Sequence, residues 1–273
     1  YESYYIDKLN LSYKDYLFNY ILVKDPLFHL INFLGAKIFE SYYFVNFILA
    51  FLFSYCLVQF SFSLSKPFFA LLISFPVLII VVAMGYHRQA LSVAFFMLGL
   101  LYLNKNSFIK YSICIFIGSM FHFSGFFLFI FGILINKKIN LLRVIFIVSF
   151  LFLSIFVFVG IEDIFISLGH YLNSYNSAGA ILRLSLNLIP SLIFLFFYKK
   201  FKFDFNENLL KSLSYFTIFL LFLVFLLNSS AIIDRFGIYL IPFQMIIWTN
   251  FINLFENKNN SNNFIFYLIS FAY

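Results

Sequence analysis

The sequence predicts an all-α, polytopic integral membrane protein. Of its 273 residues, 63% are hydrophobic and only 11% are charged, whereas soluble domains carry about 25% charged residues. The mean hydropathy is +0.98. The apolar residues fall into runs of about 16 to 20, which suits helices that cross a hydrocarbon core of about 30 Å. Membrane strands would show alternation over about ten residues instead, so these observations favour spanning helices.

About ten transmembrane helices are predicted from the apolar runs. Their approximate ranges are 42–60, 67–84, 88–103, 108–120, 123–135, 141–159, 183–198, 209–228 and 236–254, with a tenth starting near Phe264. The 108–135 region could be one long tilted helix or two short helices, and the charges favour two. Residues 1–255 are interpreted as a single transmembrane domain. Residues 256–273 are interpreted as a polar connector and the start of a truncated last helix, and we expect at least one helix before Tyr1.

The first 41 residues form no span. They are rich in Tyr, Asn and paired charges, and we interpret residues 1–41 as an external amphipathic segment that leads into the first helix. Within it, residues 26–39 are predicted to form an amphipathic helix that starts at Pro26 and lies in the membrane interface.

The cations indicate which connectors face the cytoplasm. After residue 40, ten lysines and one arginine fall in alternate connectors: Lys66, Lys105, Lys110, Lys137, Lys138, Arg143, Lys199, Lys200, Lys202, Lys211 and Lys258. The positive-inside rule assigns these connectors to the cytoplasm. The opposite connectors, 86–89, 122–124, 160–182 and 228–235, are therefore predicted to be external.

The external face carries arginine and no lysine after residue 40. Its cations are Arg88, Arg183 and Arg235. Arg88 lies in an otherwise apolar stretch, VVAMGYHRQALSVAFF, where an ionised side chain at the bilayer centre costs roughly 2.5 to 3.5 kcal/mol. A guanidinium binds phosphate oxygens bidentately and stays charged when partly desolvated. The three arginines therefore suggest a phosphate or pyrophosphate site, unless they snorkel or pair with nearby carboxylates such as Asp234.

Further external side chains are candidates for chemistry. His122 precedes Ser124 where two short helices meet, and it is either a general base or a hydrogen-bond donor to a carbonyl. The large external loop 160–182 contains His170 and several Tyr and Asn residues that suit polar ligands such as sugars. Asp234 begins the next helix with Tyr239 one turn later, and it could equally form a local capping ion pair.

Several other functions are disfavoured. Cys56 and Cys114 are isolated within predicted spans, so neither a disulfide framework nor a zinc site is implied. The net charge of +7 is explained by topology rather than by nucleic acid. No metal site and no cofactor are expected, because the sequence has no metal-spaced cluster and no Gly-rich phosphate loop. An external enzyme has no access to cytoplasmic nucleotide-sugars, so a lipid-linked donor is the natural substitute.

Three segments carry a family resemblance. The segment GYHRQALSVAFFMLGLLYLNKNSFIKYSICIFIGSMFHFSGFFLFIFGILI has Arg-Gln opening a helix, a lysine-bearing inner turn and a short helix ending in His-x-Ser. It resembles the core of the EpsG-like, Wzy-type polysaccharide polymerases. DPLFHLINFLGAKI is similar to that family's external acidic-Pro/Gly-Phe segment, and DRFGIYLIPF to its late Arg-x-x-x-Tyr helix.

The resemblance implies a GT-C-like glycosyltransferase. Such an enzyme would polymerise undecaprenyl-pyrophosphate-linked oligosaccharide repeats on the outer face of the bacterial cytoplasmic membrane, with membrane lipid around it and a chain-length regulator as a further partner. The expected site residues are carried by the matched motifs and their neighbours: Arg88, His122 and Arg235 as catalytic groups, and Gln89, Ser124, Arg183, Asp234, Tyr239 and His170 as substrate-binding groups.

Two other functions share parts of this pattern. A ligase-like transferase uses the same donor but delivers whole chains to another acceptor. A flippase or other transporter predicts charged residues at several midplane positions, whereas the arginines here are confined to one face.

Overall fold

The computed structural model describes residues 25–134, 179–200, 205–226 and 230–253, together with positions 6, 12, 141, 143–145, 147–149 and 177. Every regular element in this part of the chain is helical. The α-helices are α1 Pro26–Leu34, α2 Tyr42–Phe62, α3 Pro67–Ser74, α4 His87–Asn104, α5 Phe108–Phe121, α6 Phe131–Leu134, α7 Ala180–Phe197, α8 Glu207–Leu226, α9 Ala231–Ile238 and α10 Ile241–Asn253. The predicted spans 141–159 and 264 onward lie outside the continuously described residues.

Two of these helices continue as wider π-helical turns. Gly35–Phe39 extends α1 and Phe75–Ala83 extends α3. Pro76 lies in the first turn of the second segment. Because proline lacks the N–H that would close an α-helical turn, the regular ladder is interrupted where the π segment begins.

Three helices are long and apolar enough to cross a membrane: Tyr42–Phe62, Ala180–Lys200 and Glu207–Leu226. The pair α9 and α10 makes a fourth candidate span if the two are taken together, with a bend of 47° between them. Other apolar helices, such as Pro67–Ala83 and Phe108–Phe121, are shorter. The described residues therefore support a membrane protein with three or four candidate spans, fewer than the sequence predicts for the same region.

Helix α4 occupies the centre of the described bundle. It packs against α5 and α2, and Phe96, Met97 and Leu100 are almost completely buried. Small residues bring the helices close together. A Cβ on Gly99 would lie 3.2 Å from Tyr111 Cδ2, and one on Gly118 would lie 3.2 Å from the carbonyl oxygen of Ser92, which is the close approach that small residues allow between membrane helices.

The helical stretch that begins with α5 is broken at one residue, and the charges in the sequence favoured such a break. His122 is extended, with φ −153° and ψ 117°, and the chain continues as the 3₁₀ helix Phe123–Ile130 and then α6. The Tyr111 hydroxyl on α5 donates a hydrogen bond to the carbonyl oxygen of Leu128. This bond ties the returning segment back onto α5.

Two predicted helix boundaries differ from the structure. The predicted span 183–198 begins at Ala180, so Arg183 lies in the first turn of α7. The predicted single span 236–254 is two helices, α9 and α10, joined by a turn at Tyr239 and Leu240. The apolar pattern continues through this turn, so hydropathy alone does not reveal it.

Candidate active site

A buried carboxylate joins three segments that are distant in the sequence. Asp25 is 3% exposed, and its Oδ2 accepts a hydrogen bond of 2.8 Å from Nη1 of Arg88. Its Oδ1 accepts a hydrogen bond of 2.8 Å from the backbone N–H of Phe123. Nδ1 of His122 lies 3.6 Å from Oδ2, beyond ordinary hydrogen-bond distance. We call Asp25, Arg88 and His122 the Asp25 cluster.

The backbone at Asp25 is unusual. Asp25 has φ 62° and ψ 49°, in the left-handed region, which few non-glycine residues adopt, although aspartate does so more readily than most. Pro26 follows at the first position of α1, and a following proline also disfavours ordinary helical geometry at Asp25. The chain therefore turns sharply at Asp25 before α1 begins.

The helix break at His122 makes the backbone N–H of Phe123 and the side chain of His122 available to Asp25. In a continuous helix the N–H of Phe123 would bond to a carbonyl one turn earlier, but the extended conformation of His122 frees it for Asp25. The side chain of His122 is 16% exposed. Its Nδ1 is inaccessible and has no hydrogen-bond partner among the described residues. The imidazole is thus held beside the carboxylate by an electrostatic contact.

The surroundings of Asp25 favour its charged form. Burial raises the pKa of Asp25, but the interaction with His122, the charge of Arg88 and the N–H of Phe123 together outweigh burial, so the pKa is lowered from its ordinary value of 3.8. A carboxylate with such partners remains ionised at neutral pH. It provides a fixed negative charge beside the imidazole.

Arg88 reaches from α4 towards Asp25. It lies in the first turn of α4, and its guanidinium is 5.7 Å from the centre of the Phe28 ring on α1. This distance falls within the range of cation–π contact. The side chain is 30% exposed, so a part of the guanidinium remains accessible beside the ion pair.

A second set of hydrogen bonds joins α4 to α9 and to the 3₁₀ helix. Nε2 of Gln89 donates to the carbonyl oxygen of Arg235 at 2.6 Å. The Tyr239 hydroxyl is 2.9 Å from Oγ of Ser124 and donates to Oγ of Ser92 at 2.9 Å. Ser124 lies two residues after His122, so its contact with Tyr239 places the tyrosine next to the Asp25 cluster.

Arg183 and Asp234 form a partly buried ion pair. Nε of Arg183 donates to Oδ1 of Asp234 at 2.6 Å, and Nη2 donates to Oδ2 at 2.5 Å. The Ser177 hydroxyl also donates to Oδ2 of Asp234, at 2.8 Å. Asp234 therefore pairs with an arginine on another helix and not in the local capping pair that the sequence suggested. For Arg183, pairing with a carboxylate is the alternative to a phosphate site that the sequence left open.

The structure brings most of the sequence-predicted residues to one end of the described bundle. Direct contacts join Gln89 to Arg235, and Ser124 to Tyr239, and Arg183 to Asp234. Arg88 and His122 meet through Asp25. His170 and most of the loop 160–182 lie outside the described residues.

Sequence reasoning missed Asp25 as a site residue. Its segment carried a family resemblance, but Asp25 is 63 residues from Arg88 and 98 from Phe123. An acidic residue directly before a helix-opening proline in an external segment was the available signal. Among the described residues, no group of three His, Cys, Asp or Glu side chains could hold a metal ion.

The apolar helices and the clustered charges together define a class of protein. This is a helical membrane protein with a buried ionic site at one end of its bundle. The model of the EpsG family matches residues 1–273, and the chain belongs to that family. No curated protein and no solved structure gives a significant match. The family indicates a polysaccharide polymerase-type function and a glycosyltransferase-like enzyme.

Proposed function

We propose that the chain joins undecaprenyl-pyrophosphate-linked oligosaccharide repeats into a surface polysaccharide on the outer face of the bacterial cytoplasmic membrane. The observation that carries the proposal is the Asp25 cluster, where a buried carboxylate contacts both an arginine and a histidine. Family membership supports the reaction class. The lysine-rich connectors at the opposite end of the bundle support the outward orientation.

The proposed reaction is a glycosyl transfer between two lipid-linked substrates. A hydroxyl oxygen of one repeat attacks the anomeric carbon of the growing chain, and a new glycosidic bond forms. The bond between that carbon and the pyrophosphate oxygen breaks, and undecaprenyl pyrophosphate leaves with the bonding electrons. The hydroxyl proton passes to a base. The site must therefore accept one proton and stabilise the negative charge on the leaving group.

His122 is the proposed base. Its Nδ1 faces Asp25 at 3.6 Å, so the second ring nitrogen points away from the carboxylate and can accept the proton. The imidazolium that forms would be stabilised by the ionised carboxylate. This is the role that a buried carboxylate plays behind a catalytic histidine in other enzymes. Asp25 is thus a positioning residue in this scheme, and His122 is the catalytic residue.

Arginines are the proposed ligands of the pyrophosphate. Arg88 bonds Asp25 through Nη1 and is partly exposed. Arg235 lies on α9, and its carbonyl oxygen accepts a hydrogen bond from Gln89, the residue that follows Arg88. Nε and Nη2 of Arg183 already bind Asp234, whose negative charge offsets that of the guanidinium, so Arg183 has the smaller role in this proposal. Cations placed where negative charge develops lower the barrier to bond cleavage. In this proposal the arginines perform that task, and the site needs no metal ion.

Substitution of Arg88 tests the proposal in cells. In a strain that lacks the native gene, we expect Arg88→Ala to abolish polymer and to accumulate single lipid-linked repeats, because loss of one such donor costs about 10²–10³ in turnover. Arg88→Lys keeps the charge but not the planar fork and should restore only part of the activity. Lys211→Ala removes a cation that is as exposed as Arg88 but lies at the opposite end of the bundle, and it serves as the matched control.

The accumulated products separate the proposal from its alternatives. Polymer of normal length and amount from Arg88→Ala, at a normal protein level, would remove Arg88 from the mechanism. Finished chains stranded on lipid would indicate a ligase-like transferase. Repeats retained on the cytoplasmic face would indicate a flippase.

A further inference from the structure

The turn between α9 and α10 is held by one side chain of α7. Asn187 is 1% exposed, and its Nδ2 donates a hydrogen bond of 2.8 Å to the carbonyl oxygen of Gly237, near the end of α9. Its Oδ1 accepts a hydrogen bond from Nε2 of Gln244 on α10. One buried amide therefore bonds to the chain on both sides of the turn.

A proline explains why the helix is interrupted here. Pro242 is the second residue of α10, and a proline lacks the backbone N–H and clashes with the carbonyl four residues earlier. That carbonyl belongs to Ile238, where α9 ends. The N–H groups of Tyr239 and Leu240 bond three residues back instead of four. Proline therefore interrupts the helix, and the contacts of Asn187 hold its two halves at their 47° bend.

Asn187 and Arg183 bind α9 side by side. They are four residues apart and share one face of α7. Arg183 binds Asp234, and Asn187 binds Gly237 on the next turn of α9. Between these two contacts the helices pack closely, since a Cβ at Gly237 would lie 2.9 Å from Cδ2 of Leu184. Together the contacts fix the rotation of α9 against α7.

The rotation of α9 decides where two residues of the candidate site lie. Arg235 follows Asp234 directly, and its carbonyl oxygen accepts the hydrogen bond from Gln89 on α4. Tyr239 lies in the turn, and its hydroxyl donates to Oγ of Ser92, also on α4. α9 is thus bonded to α7 on one side and to α4 on the other. A change in the bend would displace both contacts with α4.

We propose that Asn187 is a positioning residue, which bonds both sides of the turn and thereby holds Arg235 and Tyr239 against α4. The task of Arg235 at the pyrophosphate rests on the proposed function, whereas the clamp rests on the hydrogen bonds of Asn187 alone. An amide between membrane helices can also serve stability only. The two roles differ in what happens to activity when stability is preserved.

A double substitution separates positioning from stability. Asn187→Leu/Gln244→Met replaces both amides with apolar side chains of similar shape, which can leave stability nearly unchanged. The carbonyl of Gly237 keeps the N–H of Leu240 as a donor at 3.1 Å. We expect a Tm near that of the wild type but a turnover in polymerisation that is lower by about 10²-fold, because a misplacement of about 1 Å costs that much. Affinity for farnesyl diphosphate should fall about tenfold, as for the loss of one hydrogen bond to a charged group.

Hydrogen–deuterium exchange measures the clamp independently of activity. In nanodiscs, a peptide that covers residues 236–244 should exchange faster in the double variant than in the wild type, whereas peptides from α5 should not change. Ser191→Ala is the matched control. Ser191 is also buried on α7, but its hydroxyl bonds within that helix, to the backbone carbonyl oxygen of Asn187. This variant should match the wild type in exchange and in turnover.

Gln244→Met alone decides the question if the double variant fails to fold. It keeps the bond from Asn187 to Gly237 and releases α10, so turnover and probe affinity should fall and exchange at the turn should rise. Wild-type values of all three in either folded variant would overturn the inference. So would a turnover that stays at the wild-type level wherever the Tm does, because Asn187 would then serve stability alone.

The inference and the proposed function fail in different ways. If the wild type polymerises repeats and the folded variants do so equally well, the positioning role is wrong and the proposed function stands. If exchange at the turn rises in the variants but the wild type forms no polymer, the proposed function is wrong. Asn187 then still sets the position of α9.

Discussion

At the scale of single residues, one carboxylate organises the candidate site. Asp25 is buried, and it contacts a guanidinium, a backbone N–H and an imidazole from two other segments. A buried charge is costly unless it is paired and hydrogen-bonded. The hydrogen bonds from Arg88 and Phe123 offset that cost, and they also hold the carboxylate beside His122. Stability and the proposed chemistry therefore depend on the same carboxylate.

Substitution of His122 tests its role as the base. We expect His122→Gln to lower kcat by about 10²–10⁴-fold, which is the usual contribution of general acid–base catalysis. Binding of a farnesyl diphosphate probe should stay within about twofold of the wild type, because the proposed ligands of the diphosphate are arginines. The measurement is polymerisation by purified protein. Wild-type turnover by His122→Gln would assign the base to another group.

The stability of the protein should fall in acid because of Asp25. Folding lowers the pKa of Asp25 below its ordinary value of 3.8. The carboxylate therefore stabilises the fold fully above that ordinary value, and this contribution is lost as the pH falls through the lower pKa of the folded state. Thermal unfolding in detergent should show a steeper loss below about pH 4 for the wild type than for Asp25→Asn.

The same variant should be less stable at neutral pH. Breaking a fully buried ion pair costs about 3–5 kcal/mol, and we expect a smaller loss here because Arg88 is partly exposed. Glu207→Gln is the control, since Glu207 pairs with Lys211 on an exposed helix face, and such pairs contribute little. Identical acid profiles for the wild type and Asp25→Asn would contradict the assignment of this charge.

Some of these residues could be read from the sequence, and some could not. Arg88 and His122 stand out because polar residues within apolar runs require a reason. Asp25 does not stand out, because it lies in a polar segment where carboxylates are ordinary. For Asp234 the sequence predicted importance and left the partner open. The choice of Arg183 depends on how α7 packs against α9, which a sequence pattern does not encode.

At the scale of elements, the site depends on an interrupted helix. α5 ends at Phe121, and the chain resumes as a 3₁₀ helix at Phe123. Gly125, in that 3₁₀ helix, faces α4 and α5. A Cβ at Gly125 would lie 2.5 Å from Oγ of Ser92 and 3.0 Å from Oγ of Ser119. Ser92 is also the residue that accepts the hydrogen bond from Tyr239.

Adding a methyl group at this contact should disrupt the site. Gly125→Ala would force Ser92 or the 3₁₀ helix to move, and overpacking of this kind costs about 1–3 kcal/mol. We expect a lower Tm and lower polymerisation activity. Gly85→Ala is the matched control, because nothing lies within 4 Å of a Cβ at Gly85. Equal Tm and activity for the two variants would show that the junction is less tightly packed than its distances indicate.

Most helices could be predicted from their apolar runs, but their irregularities could not. The break at His122 was favoured by the charges, because two short helices keep each lysine connector on the same side. The π segment after Ser74 and the bend between α9 and α10 leave no mark in hydropathy. The bend is accompanied by polar contacts, since Asn187 donates from Nδ2 to the carbonyl oxygen of Gly237 at 2.8 Å. Such contacts stabilise irregular backbone in a membrane protein.

At the scale of the whole molecule, the bundle has two chemically different ends. The Asp25 cluster and the Arg183 pair lie at one end. At the other end, Asn104 accepts a hydrogen bond from the N–H of Asn206 at 2.8 Å, and Ser65 donates to the carbonyl oxygen of Thr249 at 3.2 Å. The first contact joins two connectors that the sequence assigned to the same side, and the second joins such a connector to α10. The alternating charge pattern and the packing are therefore consistent.

Cysteine labelling tests the orientation of the two ends. Tyr86→Cys and Lys105→Cys each place a thiol at an exposed position at opposite ends of the bundle. We expect a membrane-impermeant maleimide to label Tyr86→Cys in intact cells, and Lys105→Cys only after the membrane is permeabilised. The native Cys56 and Cys114 are buried, so the parent protein should remain unlabelled. The reverse pattern would place the Asp25 cluster in the cytoplasm and exclude the proposed outer-face reaction.

The proposed function requires this chain to polymerise lipid-linked repeats by itself. The measurement is a reaction that contains only the purified protein and undecaprenyl-pyrophosphate-linked repeats in liposomes, analysed by gel and mass spectrometry. We expect a ladder of lengthened glycans, with one undecaprenyl pyrophosphate released for each new glycosidic bond. Active wild-type protein that leaves the repeats unjoined, while a separate acceptor receives them, would contradict the claim.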